Sequence, residues 1–168
     1  MSLVLSGDTG VSGNTGALTS GTAVASTSGT SIDFTSIPSW VKRITVIFNE
    51  VSTNGTSFKL VQIGSGSVTS SGYLSASTYV AGTSGVTSSV AGFIMYANGA
   101  ADVVSGHMVL TPVSGNTWIS SHSAKGNAGY TLSGGGSLAL GGTLDRVRIT
   151  TVNGTDTFDA GSINILYE

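Results

Sequence analysis

The chain has 168 residues, of which 8% are charged, and its formal net charge at pH 7 is -2. An ordinary soluble domain carries about a quarter charged residues, so hydroxyl groups or covering subunits must keep this chain in solution. The six Lys and Arg residues are scattered, which argues against a nucleic-acid partner. The lack of cysteine excludes disulfides, thiolate metal ligands and thiol catalysis.

Residues 1–30 consist mostly of Ser, Thr, Gly, Ala and Val, with several turn signals. We predict an extended N-terminal arm here, which attaches to a larger particle or clasps a neighbouring subunit; a flexible leader is the alternative. The first five residues lack the basic region and long apolar run of a signal peptide. No stretch has the length of a membrane span. We therefore expect synthesis in the cytoplasm without export by the standard secretory route.

A head domain is predicted over residues 31–168. Alternating polar and apolar residues predict strands over 31–35 and 42–48. In the second strand, Ile44, Val46 and Phe48 should point to one face. An Asn-Gly pair at 54–55 predicts a hairpin turn, and residues 58–63 form the returning strand.

The middle of the chain gives weaker signals. Residues 64–89 are rich in Ser, Gly and Thr and predict long loops with one or two short strands. Further strands are predicted over 90–96, 103–113 and 117–123. A bulge is plausible at Ser105-Gly106, because glycine inside a strand often marks one. The glycine run at 134–136 predicts a flexible connection.

The C-terminal part is regular. Residues 144–151 alternate, so that Val147 and Ile149 should point inward. A last strand should carry Ile163, Ile165 and Tyr167 on one face.

At least eight short strands without helical periodicity predict an all-β fold, an antiparallel β-sandwich. We favour a jelly-roll-like arrangement over an immunoglobulin-like one, because the chain lacks a Cys-Trp-Cys pattern.

Three segments resemble a known family. The run IPSWVKRITVIF (37–48) and the closing region 142–165 are similar to a domain that recurs in virion proteins of tailed bacteriophages, often at the ends of tail fibres. The opening LVLSGDTGV (3–11) resembles the first residues of phage fibre and decoration proteins. The resemblance implies a homotrimeric β-sandwich head without catalytic apparatus, located in the virion among other phage virion proteins.

Three functional hypotheses follow. The first is a non-enzymatic head at a tail or fibre tip that binds a host-surface receptor. The second is a capsid decoration (cement) protein whose arm at residues 1–30 clasps capsid subunits. The third and weakest is a polysaccharide-degrading tail enzyme, which would need two carboxylates about 5–9 Å apart.

Catalytic and metal-binding motifs are not recognisable. His107 and His122 lack the spacing of zinc sites, and no G-x-S-x-G elbow accompanies the many serines. The acidic residues lie mostly at turns, where Asp usually bonds to the backbone. We therefore predict no catalytic residue, no metal site and no cofactor.

Aromatic side chains are the candidate receptor contacts. Aromatic rings stack on sugars, while Ser, Asn and Gly loops supply adaptable polar contacts, as in antibody paratopes. The candidates are Tyr73, Tyr79, Tyr96, Trp118 and Tyr130. Their expected partner is a host-surface glycan or lipopolysaccharide. Trp40 is instead expected in the core or at a subunit interface.

Overall fold

The computed structural model describes residues 4–6, 10–12, 18–97, 99–100, 102–127 and 129–168. These residues form sixteen strands and no helix, so the predicted all-β class is confirmed. The strands are β1 (Val4–Ser6), β2 (Gly10–Ser12), β3 (Thr19–Ser20), β4 (Val24–Ala25), β5 (Ile32–Phe34), β6 (Ile44–Thr53), β7 (Lys59–Ser65), β8 (Ser67–Val68), β9 (Leu74–Val80), β10 (Ser84–Ser89), β11 (Phe93–Met95), β12 (Val104–Ser114), β13 (Thr117–Lys125), β14 (Thr131–Ala139), β15 (Arg146–Thr151) and β16 (Phe158–Tyr167).

Two antiparallel sheets form the sandwich that the sequence predicts. The large sheet has the order β10-β9-β14-β13-β12-β6-β16-β3, and β4 also pairs with β16. The small sheet has the order β11-β7-β15-β5, with β8 paired to β7. β1 and β2 form a separate hairpin.

The core lies between the two sheets and follows the predicted alternation. In β6, Ile44, Val46 and Phe48 are buried, and Val147 and Ile149 of β15 are buried in the small sheet. Fully burying one such side chain contributes about 1.5–3 kcal/mol, which makes this apolar face the main determinant of the sandwich.

The prediction of a flexible connection at residues 134–136 is wrong. The three glycines lie inside β14, which is hydrogen-bonded to β13 on one side and to β9 on the other. A Cβ atom on Gly134 would lie 2.5 Å from Cε1 of His122 and would also overlap the carbonyl oxygen of Ala76. Glycine is present here because neighbouring groups occupy the space of a side chain.

The prediction of mainly loop structure over residues 64–89 is also wrong. β9 and β10 are strands of seven and six residues. Their inward positions include Ser75 and Ser77, which are buried. The Ile94 N–H donates to Ser75 Oγ at 2.9 Å, and the Tyr96 N–H donates to Ser77 Oγ at 3.1 Å. Serine hydroxyl groups therefore join β9 to β11 and to Tyr96 in a region that was predicted to be mainly loop.

Part of the predicted arm lies along the head. β3 and β4 pair with β16, which places Ser20 opposite Leu166 and Val24 opposite Ile163. Ser26 is buried, and its hydroxyl donates to the Ala160 carbonyl oxygen at 2.7 Å. Residues 1–3, 7–9 and 13–17 of the arm lie outside the described residues, so its role as a clasp stays a prediction.

The connections β6–β7, β9–β10, β11–β12, β13–β14 and β15–β16 meet at one end of the sandwich. Thr53 at the end of β6 lies opposite Phe158 at the start of β16, and Lys59 at the start of β7 lies opposite Met95 and Thr151. The predicted bulge is confirmed by a register shift between Val104 and Gly106 at the start of β12. This end of the sandwich is called the loop end below.

Candidate functional site

A small pocket lies at the loop end. It has a volume of about 160 Å³ and is lined by Tyr79, Tyr96, Asp102 and Tyr130. Tyr79 lies near the end of β9, Tyr96 follows β11, Asp102 precedes β12, and Tyr130 precedes β14. All four side chains are half-buried. The fold therefore brings together three of the five predicted receptor contacts from separate parts of the chain.

The aromatic rings of the pocket support one another. The ring centroids of Tyr79 and Tyr96 are 4.6 Å apart, with an interplanar angle of 43°. Tyr130 meets Tyr79 edge to face at 6.0 Å, and Phe58 meets Tyr96 in the same manner at 4.9 Å. Such pairs contribute about 0.5–1.5 kcal/mol beyond the burial of their area. The walls of the pocket are therefore held in place before any ligand arrives.

Glycines provide the space for these side chains. A Cβ atom on Gly85 would lie 2.5 Å from Cε1 of Tyr79 and 3.0 Å from the Tyr96 hydroxyl oxygen. A Cβ atom on Gly126 would overlap the ring of Tyr130. The close approach of backbone and side chain is possible only without a Cβ atom at these positions.

Among the described residues that line the pocket, Asp102 is the only charged one. Its Oδ2 accepts a hydrogen bond from the Gly99 N–H at 2.7 Å. The salt bridges of the described residues lie elsewhere, at Arg43–Glu168, Arg146–Asp145 and Arg148–Asp33. Within the described part of the chain, no cationic group thus makes a direct ion pair with the Asp102 carboxylate.

Tyr130 places its hydroxyl group beside this carboxylate. The oxygen is buried and makes no hydrogen bond of normal geometry with a described residue. Burial, and then the nearby Asp102 carboxylate, raise the pKa of Tyr130 above its usual value. The phenol therefore stays neutral at physiological pH, and its ring forms one wall of the pocket.

A buried lysine lies near the pocket. Lys59, at the start of β7, is 1% exposed, and its Nζ has no hydrogen-bond partner among the described residues. Burial lowers its pKa, while the carboxylates of Asp102, Asp159 and Asp156 oppose that shift. Three carboxylates thus act on one enclosed amine, which gives the loop end an acidic character.

Two of the predicted receptor contacts are buried in the core. Tyr73 is 0% exposed and packs edge to face against Phe93 at 4.9 Å. Its hydroxyl group accepts from the Ile63 N–H at 2.7 Å, and burial raises its pKa to about 12. Trp118 is 4% exposed. Tyr73 offers no surface to a receptor, and Trp118 lines a different pocket of about 100 Å³, so neither residue belongs to the pocket at the loop end.

Trp40, which was expected in the core or at an interface, is half-buried. Its ring lies 5.9 Å from that of Tyr167.

Sequence reasoning missed Asp102 and Phe58. Asp102 follows a turn, and its hydrogen bond with Gly99 is the turn-capping contact that acids near turns usually make. Phe58 occupies the first position of a predicted strand, where a core role was the natural interpretation. No sequence signal separates these two residues from structural ones.

A serine and a histidine meet inside the large sheet. Ser77 Oγ lies 3.0 Å from His122 Nε2, and both residues are buried. His122 Nδ1 has no partner among the described residues, and burial lowers the histidine pKa to about 4. Without an orienting carboxylate or access for a substrate, this pair lacks the parts of a hydrolytic triad. His107 is exposed on the opposite face of the sheet.

The outer face of the large sheet is almost free of charge. The outer face comprises the outward positions of β9, β14, β13, β12 and β6: Leu74, Ala76, Thr78, Val80, Thr131, Ser133, Gly135, Ser137, Ala139, Ile119, Ser121, Ser123, Lys125, His107, Val109, Thr111, Thr45, Ile47 and Asn49. Lys125 is the only Lys, Arg, Asp or Glu residue among these positions. Charged residues border them: Arg43, which pairs with Glu168, lies beside Thr45 and Ile47, and Glu50 of β6 is exposed next to Asn49. Leu74 is 72% exposed and Ile119 is 45% exposed. A broad sheet face with few charged residues and exposed apolar side chains favours contact with another protein surface.

Two further observations concern the described residues as a set. They contain no group of three or more His, Cys, Asp or Glu side chains arranged to hold a metal ion. They also contain no helix with the length and apolar character needed to cross a membrane.

Comparison of the chain with protein-family models, curated proteins and solved structures gave no match. No family is therefore shown, and the resemblance to phage fibre domains stays an expectation. The pocket at the loop end and the outer face are the features from which a function is inferred.

Proposed function

We propose that the chain is a non-enzymatic structural protein of a bacteriophage virion and binds a host-surface glycan through the pocket at the loop end. The observation that carries the proposal is the convergence of Tyr79, Tyr96 and Tyr130 around one cavity. These residues come from three separate parts of the chain: the end of β9, the β11–β12 connection and the β13–β14 connection. Half-buried aromatic rings with one polar group are typical of ligand sites.

The geometry suits a terminal sugar unit. Tilted and edge-to-face rings present both a flat surface for stacking and an edge for polar groups. The pocket volume of about 160 Å³ suits one small ring or head group as the part of the ligand that enters it. A site of this size recognises the end of a chain, as a first contact with a surface polysaccharide requires.

We further propose that the outer face packs against further copies of the chain in a homotrimer. A closed symmetric assembly would cover the residues of this face and remove them from solvent, at little cost because few of them are charged. This arrangement also accounts for the low charge of the whole sequence. The pocket lies at the end of the sandwich, so that packing through the outer face leaves it open to a receptor.

The first experiment measures binding of the purified protein to a panel of bacterial cells and isolated lipopolysaccharides. We expect Tyr79→Ala and Tyr96→Ala to weaken binding at least tenfold, because buried aromatic anchors dominate interfaces. Tyr167→Ala is the matched control, since Tyr167 is a half-buried tyrosine that packs against Trp40. Equal losses in all three variants would contradict the assignment of the pocket.

A second experiment locates labelled protein on the virion. Tail or fibre-tip labelling supports the receptor-binding proposal. Labelling spread over the capsid, together with loss of attachment on deletion of residues 1–30, would instead indicate a decoration protein.

A further inference from the structure

We propose that the group recognised by the pocket is an organic cation: a protonated or methylated amine on the host-surface ligand. This inference rests on the proposed function and names the chemistry of the same site.

The charges around the pocket select for a positive ligand. The Asp102 carboxylate lines the cavity and has no ion-pair partner among the described residues. Asp102, Asp159 and Asp156 each raise the pKa of the nearby Lys59, so carboxylates outnumber this amine in its surroundings. Lys59 itself is 1% exposed and is not among the residues that line the cavity. The charge that a ligand meets in the described lining is therefore the negative one of Asp102.

The aromatic walls add to this preference. The face of a phenol ring carries partial negative charge and attracts ammonium groups that lie within about 6 Å of its centre. Tyr79, Tyr96 and Tyr130 all line the cavity, and the ring of Tyr79 packs against the other two, with centroid separations of 4.6 and 6.0 Å. A cation in that volume would contact more than one ring and the Asp102 carboxylate.

Two of the three tyrosine hydroxyl groups in the lining have restricted access to a ligand. The Tyr79 hydroxyl group is engaged with Thr83 Oγ1 at 3.2 Å, and the Tyr130 hydroxyl oxygen is buried. A neutral sugar ring needs both donors and acceptors for its hydroxyl groups. An ammonium group needs only acceptors and ring faces, which the pocket supplies.

The test uses ring-matched soluble ligands and the wild-type protein at neutral pH. Glucosamine carries a charged amine, whereas N-acetylglucosamine has the same ring without the charge. Tetramethylammonium supplies the cation without a sugar. Binding is followed by calorimetry and by the NMR signals of the tyrosine rings. We expect glucosamine to bind about tenfold more tightly than N-acetylglucosamine, and tetramethylammonium to shift the same ring signals.

Variants separate the contribution of charge. Asp102→Asn keeps the acceptor for the Gly99 N–H and removes the negative charge, so it should abolish the preference for glucosamine. Asp33→Asn removes one carboxylate from the small sheet, where Asp33 pairs with Arg148, and should leave the preference unchanged. Phosphocholine in a further series distinguishes a lipid head group from an amino sugar as the natural source of the cation.

The two proposals fail in different ways. Equal affinity for the charged and neutral sugars, with adhesion to lipopolysaccharide intact, would overturn the cation inference and leave the receptor proposal standing. Preference for ammonium ligands without adhesion to any bacterial surface would overturn the receptor proposal and leave the cation inference standing. Absence of binding by all of the soluble ligands would also overturn the inference, whatever the variants show.

Discussion

Acid should destabilise the fold through one buried residue, His122. Its side chain is 6% exposed, its Nδ1 has no partner among the described residues, and burial lowers its pKa to about 4. The unfolded chain exposes this ring with a pKa of about 6.5. Between these values the unfolded state binds more protons than the folded state. Stability is therefore complete above about pH 6.5 and falls as the pH decreases towards 4.

The size of the effect follows from the difference between the two pKa values. A difference of roughly 2.5 units corresponds to about 3 kcal/mol when the pH has fallen below the folded pKa. At pH 5 the loss is about 2 kcal/mol. A domain has only about 5–15 kcal/mol of net stability, so this loss is readily measured.

The assay is urea unfolding from pH 7 to pH 5 at fixed protein concentration, followed by the fluorescence of the buried Trp118. The variant His122→Leu removes the titrating group and keeps an apolar side chain of similar size. The difference in the free energy of unfolding between wild type and variant should change by about 2 kcal/mol from pH 7 to pH 5. The contributions of the titrating acids cancel in this difference, because both proteins contain them.

His107→Gln is the control. It replaces the chain's other histidine, which is exposed on the outer face, and it should retain the His122 contribution. Parallel pH curves for wild type and His122→Leu would refute the reasoning, because they would mean that the ring is hydrated or paired in the folded state.

Three further predictions concern stability and assembly. Gly134→Ala should cost more than about 2 kcal/mol in chemical unfolding, because its Cβ atom would meet the His122 ring and the Ala76 backbone; Gly141→Ala, with open space around it, should cost little. Lys59→Met should leave the thermal midpoint unchanged or raised, since it removes a buried amine without a hydrogen-bond partner; a large fall would show that Nζ makes a stabilising contact. Ser121→Arg should dissociate the proposed trimer in sedimentation experiments, since it adds a charge to the outer face, whereas an unchanged sedimentation coefficient would place the interface elsewhere.

The sequence predicts those strands whose inward positions are apolar. In β6 and β15, residues such as Ile44, Val46 and Val147 alternate with polar residues and are buried as expected. β9 and β14 do not show this pattern, because their inward positions include Ser75, Ser77 and Gly134. These strands are held by hydroxyl-to-backbone hydrogen bonds and by close backbone packing. The alternation of polar and apolar residues, from which strands are predicted, does not reveal such contacts.

The candidate site was predictable only as a set of residue types. Tyr79, Tyr96 and Tyr130 converge because three connections end at the same end of the sandwich, which depends on strand order and register. Tyr73 is six residues before Tyr79 in a similar Ser-rich context, yet its ring enters the core. Local composition does not distinguish these two environments. The contribution of Asp102 likewise depends on which rings surround it.

The glycine run of β14 has a consequence for how the sheet finds its alignment. Three successive residues without side chains make no side-chain contacts that could fix the register with the neighbouring strands. Glycine-rich strands therefore specify their pairing register weakly. The register is fixed instead by two buried side chains on either side of the run, Leu132 and Leu138. A slip by one residue would turn both leucines towards water. The correct register between β14 and its neighbours, and with it the attachment of β9 and β10 to the rest of the large sheet, thus depends on these two leucines.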